Sequence, residues 1–148
     1  MKVPRSLYFI KSRTKTDGEI RNLNFFYDYS LIPEQPGVYI VVSEKTKFIY
    51  PQKSSPVIYV GMTKDLRQRL TGHIRHFRTL QKIPKSHRWY FSYYSRYNYM
   101  VNHGCRIYWL TIRGKQKPKD LESQILEEFY KAFHSLPVGN GAFSFASL

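Results

Sequence analysis

The sequence predicts a mixed α/β (α+β) domain: a small central antiparallel sheet of about three strands, flanked by helices and decorated by insertions. Two observations carry this. Three short runs, at 38–42, 57–61 and 105–112, are rich in β-branched and aromatic residues. Two longer stretches repeat apolar residues at helical spacing, Leu66, Leu70, Ile74 and Phe77 in one and Leu121, Ile125, Phe129 and Phe133 in the other. A chain of 148 residues with 42% hydrophobic side chains is long enough to bury a core as one domain.

Residues 1–35 read as an N-terminal extension packed on the domain, with a short strand over 6–10 and a turn at Asp17-Gly18. Pro36-Gly37 punctuates the chain, and the domain proper is expected over 36–148. The first strand leads into a polar stretch at 43–56, a first insertion that carries Lys45, Lys47 and Lys53 with Phe48 and Tyr50. Gly61 stops the second strand, and consecutive strands joined by a loop pair antiparallel. Thr63 is the candidate N-cap of the first long helix, with Asp65 in its first turn. That helix is expected to run to about Leu80, and Gly72 inside it costs about 1 kcal/mol against Ala. Periodicity is lost over 81–104, a second insertion crowded with His87, Arg88, Trp89, Tyr90, Phe91, Tyr93, Tyr94, Arg96, Tyr97 and Tyr99. The third strand is apolar on both sides: Ile107, Trp109 and Thr111 on one, Tyr108, Leu110 and Ile112 on the other. That marks it as a central strand covered on both faces. A basic turn at 113–117 then meets Pro118, favourable at a helix start. The second long helix is expected to end near Leu136 and Pro137.

Charge narrows the function classes. The chain has 24 Lys and Arg against 10 Asp and Glu, a formal net charge of +14. On a small domain that implies a polyanionic partner, and nucleic acid leads because neutralised phosphates release condensed counterions. An anionic membrane is the competitor. It is set aside because the chain lacks a spanning apolar run and a basic amphipathic helix with a clean apolar face. The single cysteine, Cys105, excludes an intrachain disulfide and a Cys-rich zinc site and fits a reducing compartment. The first ten residues lack the apolar core and cleavage site of a secretory leader, so the expected location is intracellular, cytoplasmic and DNA-associated.

Several residues carry chemistry as a set. Gly37-Val38-Tyr39 places a tyrosine in the first strand, and Tyr59-Val60-Gly61 places another in the second. The helix that follows sets Arg69 and His73 four residues apart, on one face. Glu122 lies in the first turn of the second long helix. In this order and spacing, from 36 to 140, the chain resembles the GIY-YIG nuclease family. The strongest stretch is 58–70, Ile-Tyr-Val-Gly-Met-Thr-Lys-Asp-Leu-Arg-Gln-Arg-Leu, similar to the family's second motif running into its helix. Arg69 stands where the family has its arginine, with Arg67 the neighbouring alternative, and His73 matches a position that is His or Tyr. Leu121-Glu122-x-x-x-Leu126 resembles the segment that bears the metal-binding glutamate, and Pro137-x-x-Asn140 a terminal proline–asparagine signal. Two spacings depart from the pattern: the tyrosines lie further apart than usual, and so do Glu122 and Asn140.

The resemblance implies the GIY-YIG fold and a metal-dependent DNA endonuclease using one Mg²⁺ or Mn²⁺. Tyr39, Tyr59, Arg69, His73 and Glu122 would be catalytic, and Gly37, Gly61, Lys64, Arg67 and Asn140 supporting. The residue types suit phosphodiester hydrolysis, which needs an activated water and stabilised phosphoryl charge. Glu122 would be the metal ligand, since Mg²⁺ prefers oxygen and keeps several waters. Arg69 would hold a phosphate oxygen. Tyr39 would position or deprotonate the attacking water, although an ordinary phenol titrates near pH 10. Tyr59 and His73 would donate hydrogen bonds or assist proton transfer, and Asn140 would brace the site. Lys45, Lys47, Lys53, Lys64, Arg67, Arg75, Arg88 and Arg96 would contact DNA. The aromatics of 87–99 either stack on unpaired bases or form a small aromatic subcore. Recognition would come from the insertions, from homodimerisation or from a partner subunit. A restriction-like or phage-type enzyme suits the size, with homing and repair nucleases as alternatives. The competing class is a non-catalytic, or partner-activated, nucleic-acid-binding module of the same fold.

Overall fold

Gly37–Ser43 (β2) is buried along its whole length, as a β-branched and aromatic run must be when neighbours flank it on both sides. In the computed structural model, which describes residues 3–13, 15–21, 29–84 and 95–140, β2 is an inner strand. With β1 (Gly18–Ile20), β5 (Val57–Thr63) and β6 (Cys105–Thr111) it forms an antiparallel sheet in the order β1-β6-β2-β5. Residues 43–56 hold a second, two-stranded hairpin, β3 (Phe48–Ile49) with β4 (Ser54–Ser55).

The sheet thus has four strands, not three, and the extra one comes from the N-terminal segment. Gly18 pairs with Trp109. A Cβ on it would fall 1.9 Å from the indole, so glycine is there to admit a ring overhead and not to turn the chain. The strand expected over 6–10 is absent. Arg5–Leu7 forms a single 3-10 turn, and Leu7, Phe9 and Ile10 drop into the core.

Side-chain alternation sorts the core into two layers. Tyr39, Val41, Ile107 and Trp109 face α1 (Leu66–Gln81) and α2 (Ser95–His103). Val38, Ile40, Tyr108 and Leu110 face α3 (Pro118–Phe133). The N-cap of α1 is Asp65, whose carboxylate accepts the Gln68 N–H at 3.2 Å. Thr63, expected as the cap, ends β5 instead, and its hydroxyl accepts the Asp65 N–H at 3.0 Å. The α2 helix lies where no periodicity was expected. Pro118 opens α3 as predicted, but the helix stops at Phe133, short of Leu136. Among the described residues no helix is long and apolar enough to cross a membrane.

Candidate active site

The alternation of β2 and β5 sends Tyr39 and Tyr59 to the α1/α2 face, with ring centroids 6.0 Å apart. Gly61 is opposite Tyr39 in the ladder. A Cβ on it would come within 2.5 Å of the Tyr39 phenol oxygen, so the motif glycine is what lets that ring lie across β5. Gly37 serves a similar end: a Cβ there would sit 2.7 Å from Leu66 and 2.5 Å from the Leu110 carbonyl. The first turn of α1 thereby closes on the start of β2.

Helix α1 then delivers Arg69 and His73 to the same phenol. The Tyr39 hydroxyl lies 2.8 Å from His73 Nε2, and Arg69 Nε donates to the same oxygen at 3.4 Å. The other imidazole nitrogen, Nδ1, is 2.7 Å from the Tyr97 hydroxyl. A chain Arg69–Tyr39–His73–Tyr97 results. Arg69, His73, Tyr97, His76, Gly72 and Thr63 line a cleft of about 430 Å³. Arg69 is exposed, whereas Tyr39 is 1% exposed and lies behind Arg69 and His73.

Burial sets the protonation states. It drives His73 down to about 3, with Arg69 and Arg96 adding to the effect, so the imidazole is neutral at neutral pH. A neutral imidazole donates through one nitrogen and accepts through the other, which fits a hydroxyl partner on each side. Burial also pushes Tyr39 well above the usual phenol range, with Tyr59 adding and Arg69 partly offsetting. Tyr39 is therefore a phenol and not a phenolate, suited to orienting a group and poorly suited to deprotonating one.

Two residues join the site from α2, inside the stretch read as an insertion. Tyr97 holds His73 from behind. The Arg96 guanidinium lies 4.6 Å from the Tyr59 ring centroid and 5.5 Å from that of Tyr97. Arg96 was expected as a nucleic-acid contact, and Tyr97 had no individual role. The i, i+3, i+4 spacing of Tyr97, Met100 and Val101 was the signal for this helix, obscured by the aromatics on every side of it.

Along the outer edge of β5 a second set of contacts stabilises the strand. Asn140 accepts the Val60 N–H and donates to the Val60 carbonyl, both at 2.9 Å. Gly139 N–H donates to the Ile58 carbonyl at 2.7 Å, and the Met62 backbone lies close enough to the Glu122 carboxyl to lower its pKa. Side chains and tail thus satisfy an edge that would otherwise expose unpaired backbone groups, and Asn140 braces the strand between Tyr59 and Gly61. Among the described contacts, Glu122 reaches the tyrosine cluster only through the β5 backbone. Burial raises its pKa, and Lys119 and the Met62 backbone only partly offset this. A half-buried carboxylate so poorly compensated suits a cation. Among the described residues no group of three His, Cys, Asp or Glu side chains could hold a metal ion. A cation on Glu122 would therefore complete its shell with water and phosphate, as Mg²⁺ commonly does.

The predicted basic contacts divide. Lys45, Lys47, Lys53, Lys64 and Arg75 are exposed. Arg67 is a structural clamp: it donates to the carbonyls of Ile32 at 2.7 Å and Ser30 at 3.1 Å and pairs with Glu34. That engagement ties α1 to the segment before β2, whereas Arg69 lines the cleft. Arg88 and most of the Tyr-rich stretch lie outside the described residues. No protein-family model matches the chain, and neither does any curated relative or solved structure.

Proposed function

We propose that this protein is a metal-dependent endonuclease that hydrolyses DNA phosphodiester bonds through a single-metal site of the GIY-YIG kind. One observation carries the reading. Arg69 and His73, remote from β2 in sequence, come within 3.4 Å of one phenol oxygen on Tyr39, at the wall of a cleft in a chain of net charge +14. Arg69 reaches into the cleft as the donor for a non-bridging phosphate oxygen and offsets the charge that builds there. Tyr39 and His73, both uncharged, orient the attacking water through the hydrogen bonds they share. Tyr59 lies beside Tyr39 under the Arg96 guanidinium. Glu122 would hold Mg²⁺ or Mn²⁺, which supplies Lewis-acid polarisation and a more acidic bound water.

Incubation of supercoiled plasmid with Mg²⁺ or with EDTA tests this. Nicking with Mg²⁺ alone is expected. Binding without metal-dependent nicking would replace the proposal with the second reading, a non-catalytic nucleic-acid-binding module. That reading draws on the 1% exposure of Tyr39 and the lack of a direct Glu122 contact with the cluster. Weak nicking rescued by a co-purified protein would identify a partner-activated subunit.

A further inference from the structure

On the sheet face opposite the cleft, the Arg5–Leu7 turn, the β3–β4 hairpin and the end of α3 meet around a groove of about 500 Å³. Its floor is Phe9 and Phe133, both buried, with Phe9 edge-on to Phe133 at 6.0 Å and to Phe129 at 5.0 Å. Arg5, Lys11 and Lys53 line it, each exposed, the first two from the N-terminal segment and the third from the β3–β4 hairpin. Lys53 Nζ lies 5.2 Å from the Phe133 ring centroid, which holds the ammonium over the groove floor. Among the described residues, none of the three cations forms an ion pair with a carboxylate. Glu128 on α3 is instead engaged by the Ser12 N–H at 3.2 Å and its hydroxyl at 3.4 Å.

Three like charges brought to one concave surface repel each other unless an anion shares the space. Beyond the contact of Lys53 with the Phe133 ring, no protein group among the described residues compensates them: Phe9, Phe129 and Phe133 pack against one another. The Tyr8 ring, 61% exposed, stands at the rim beside them. Cations with an accessible aromatic face are the pattern that holds a phosphate backbone and stacks on its sugars or bases.

We propose that this groove is a second nucleic-acid contact, gripping the phosphodiester backbone of a DNA segment other than the one in the cleft. The inference rests on the DNA-binding part of the proposed function and not on catalysis. Because groove and cleft lie over opposite faces of the sheet, a short straight duplex in one leaves the other open. The chain should therefore bind two such duplexes.

The test is titration of a short duplex DNA, in EDTA, followed by fluorescence anisotropy and analytical ultracentrifugation. The wild-type chain is compared with the triple variant Arg5→Ala, Lys11→Ala, Lys53→Ala, and circular dichroism verifies that the variant folds. Stoichiometry should fall from two duplexes to one. The slope of log K against log salt at the lost site should vanish, where each phosphate contact contributes about 0.9. Nicking of plasmid at saturating DNA should be unchanged in the double variant Arg5→Ala, Lys11→Ala, which keeps Lys53. Equal stoichiometry and salt slope in the two proteins would overturn the proposal. So would a groove that takes polyglutamate while DNA leaves it empty, which would make the partner an acidic protein. A chain that binds two duplexes and nicks nothing keeps the groove and loses the nuclease. A chain that nicks and binds only one duplex does the reverse.

Discussion

The two faces of the sheet share strands and bury different chemistry. The α3 face is an aliphatic and aromatic core of Leu7, Leu110, Leu121, Ile125, Phe129 and Phe133. Its Tyr50 hydroxyl donates to the Val57 carbonyl and accepts the Val138 N–H, and burial lifts that phenol to about 12. The α1/α2 face buries an imidazole and two phenols in one hydrogen-bonded chain. A buried polar group costs stability unless partnered, and truncating a partner exposes the full penalty. The contrast teaches that both faces pack apolar side chains, while the α1/α2 face in addition buries a polar chain whose members must stay partnered. Helix α3 belongs to the first face except at Glu122, which reaches the edge of β5.

That exception gives the largest expected effect. Glu122→Ala should abolish plasmid cleavage and leave DNA affinity, measured by anisotropy, nearly intact. Near-normal turnover would mean α3 is purely structural and the contrast between faces complete. Phe129→Ala should lower unfolding free energy by about 3–5 kcal/mol in urea titrations, as large-to-small changes in packed cores do. A loss below about 1 kcal/mol would show that Phe129 does not anchor the α3 face.

Arg69→Ala should cut turnover roughly 10²–10³-fold, the effect of losing one preorganised donor, with little change in stability. Arg67→Ala should do the opposite and destabilise the fold with turnover spared. Equal activity losses in both would erase the distinction between cleft arginine and clamp.

His73 links the polar face to pH. Its folded pKa, about 3, lies below its ordinary 6.5, so the unfolded chain binds the extra proton between those values. Stability is then full above about pH 6.5 and falls by about 1.4 kcal/mol per pH unit as pH drops toward 3. The groups facing His73 are Tyr39, Arg69, His76, Arg96 and Tyr97. His73→Gln should flatten the difference in this window, and an unchanged slope in urea titrations from pH 7 to pH 4 would mean the imidazole is not held neutral. The smallest effect is expected at Gly72, where an added Cβ meets nothing within 4 Å. Gly72→Ala should stabilise α1 by about 1 kcal/mol, and a loss of cleavage with that gain would show that the cleft needs its open wall.

Much of the fold was legible because period and composition are local. The β-branched runs marked β2, β5 and β6, and apolar residues every three or four positions marked α1 and α3. The pairing of Arg69 with His73 followed from helical spacing alone. What failed was short or crowded. β1 spans three residues, too few for alternation to show, and Gly18 looks like a turn residue until Trp109 is seen above it. The aromatics around α2 hid the stripe of Tyr97 and Met100.

By itself the sequence determined the strong basic charge, the main strands and helices, and which residue types could act on a phosphate. Only the tertiary structure decided that Tyr97 holds the far side of His73, that Arg67 clamps α1 to the segment before β2, and that Asn140 seals the edge of β5. Those outcomes depend on which distant segments a buried polar atom can reach for a partner. Local spacing carries no record of that choice, because hydrogen-bond satisfaction is settled only when the layers pack.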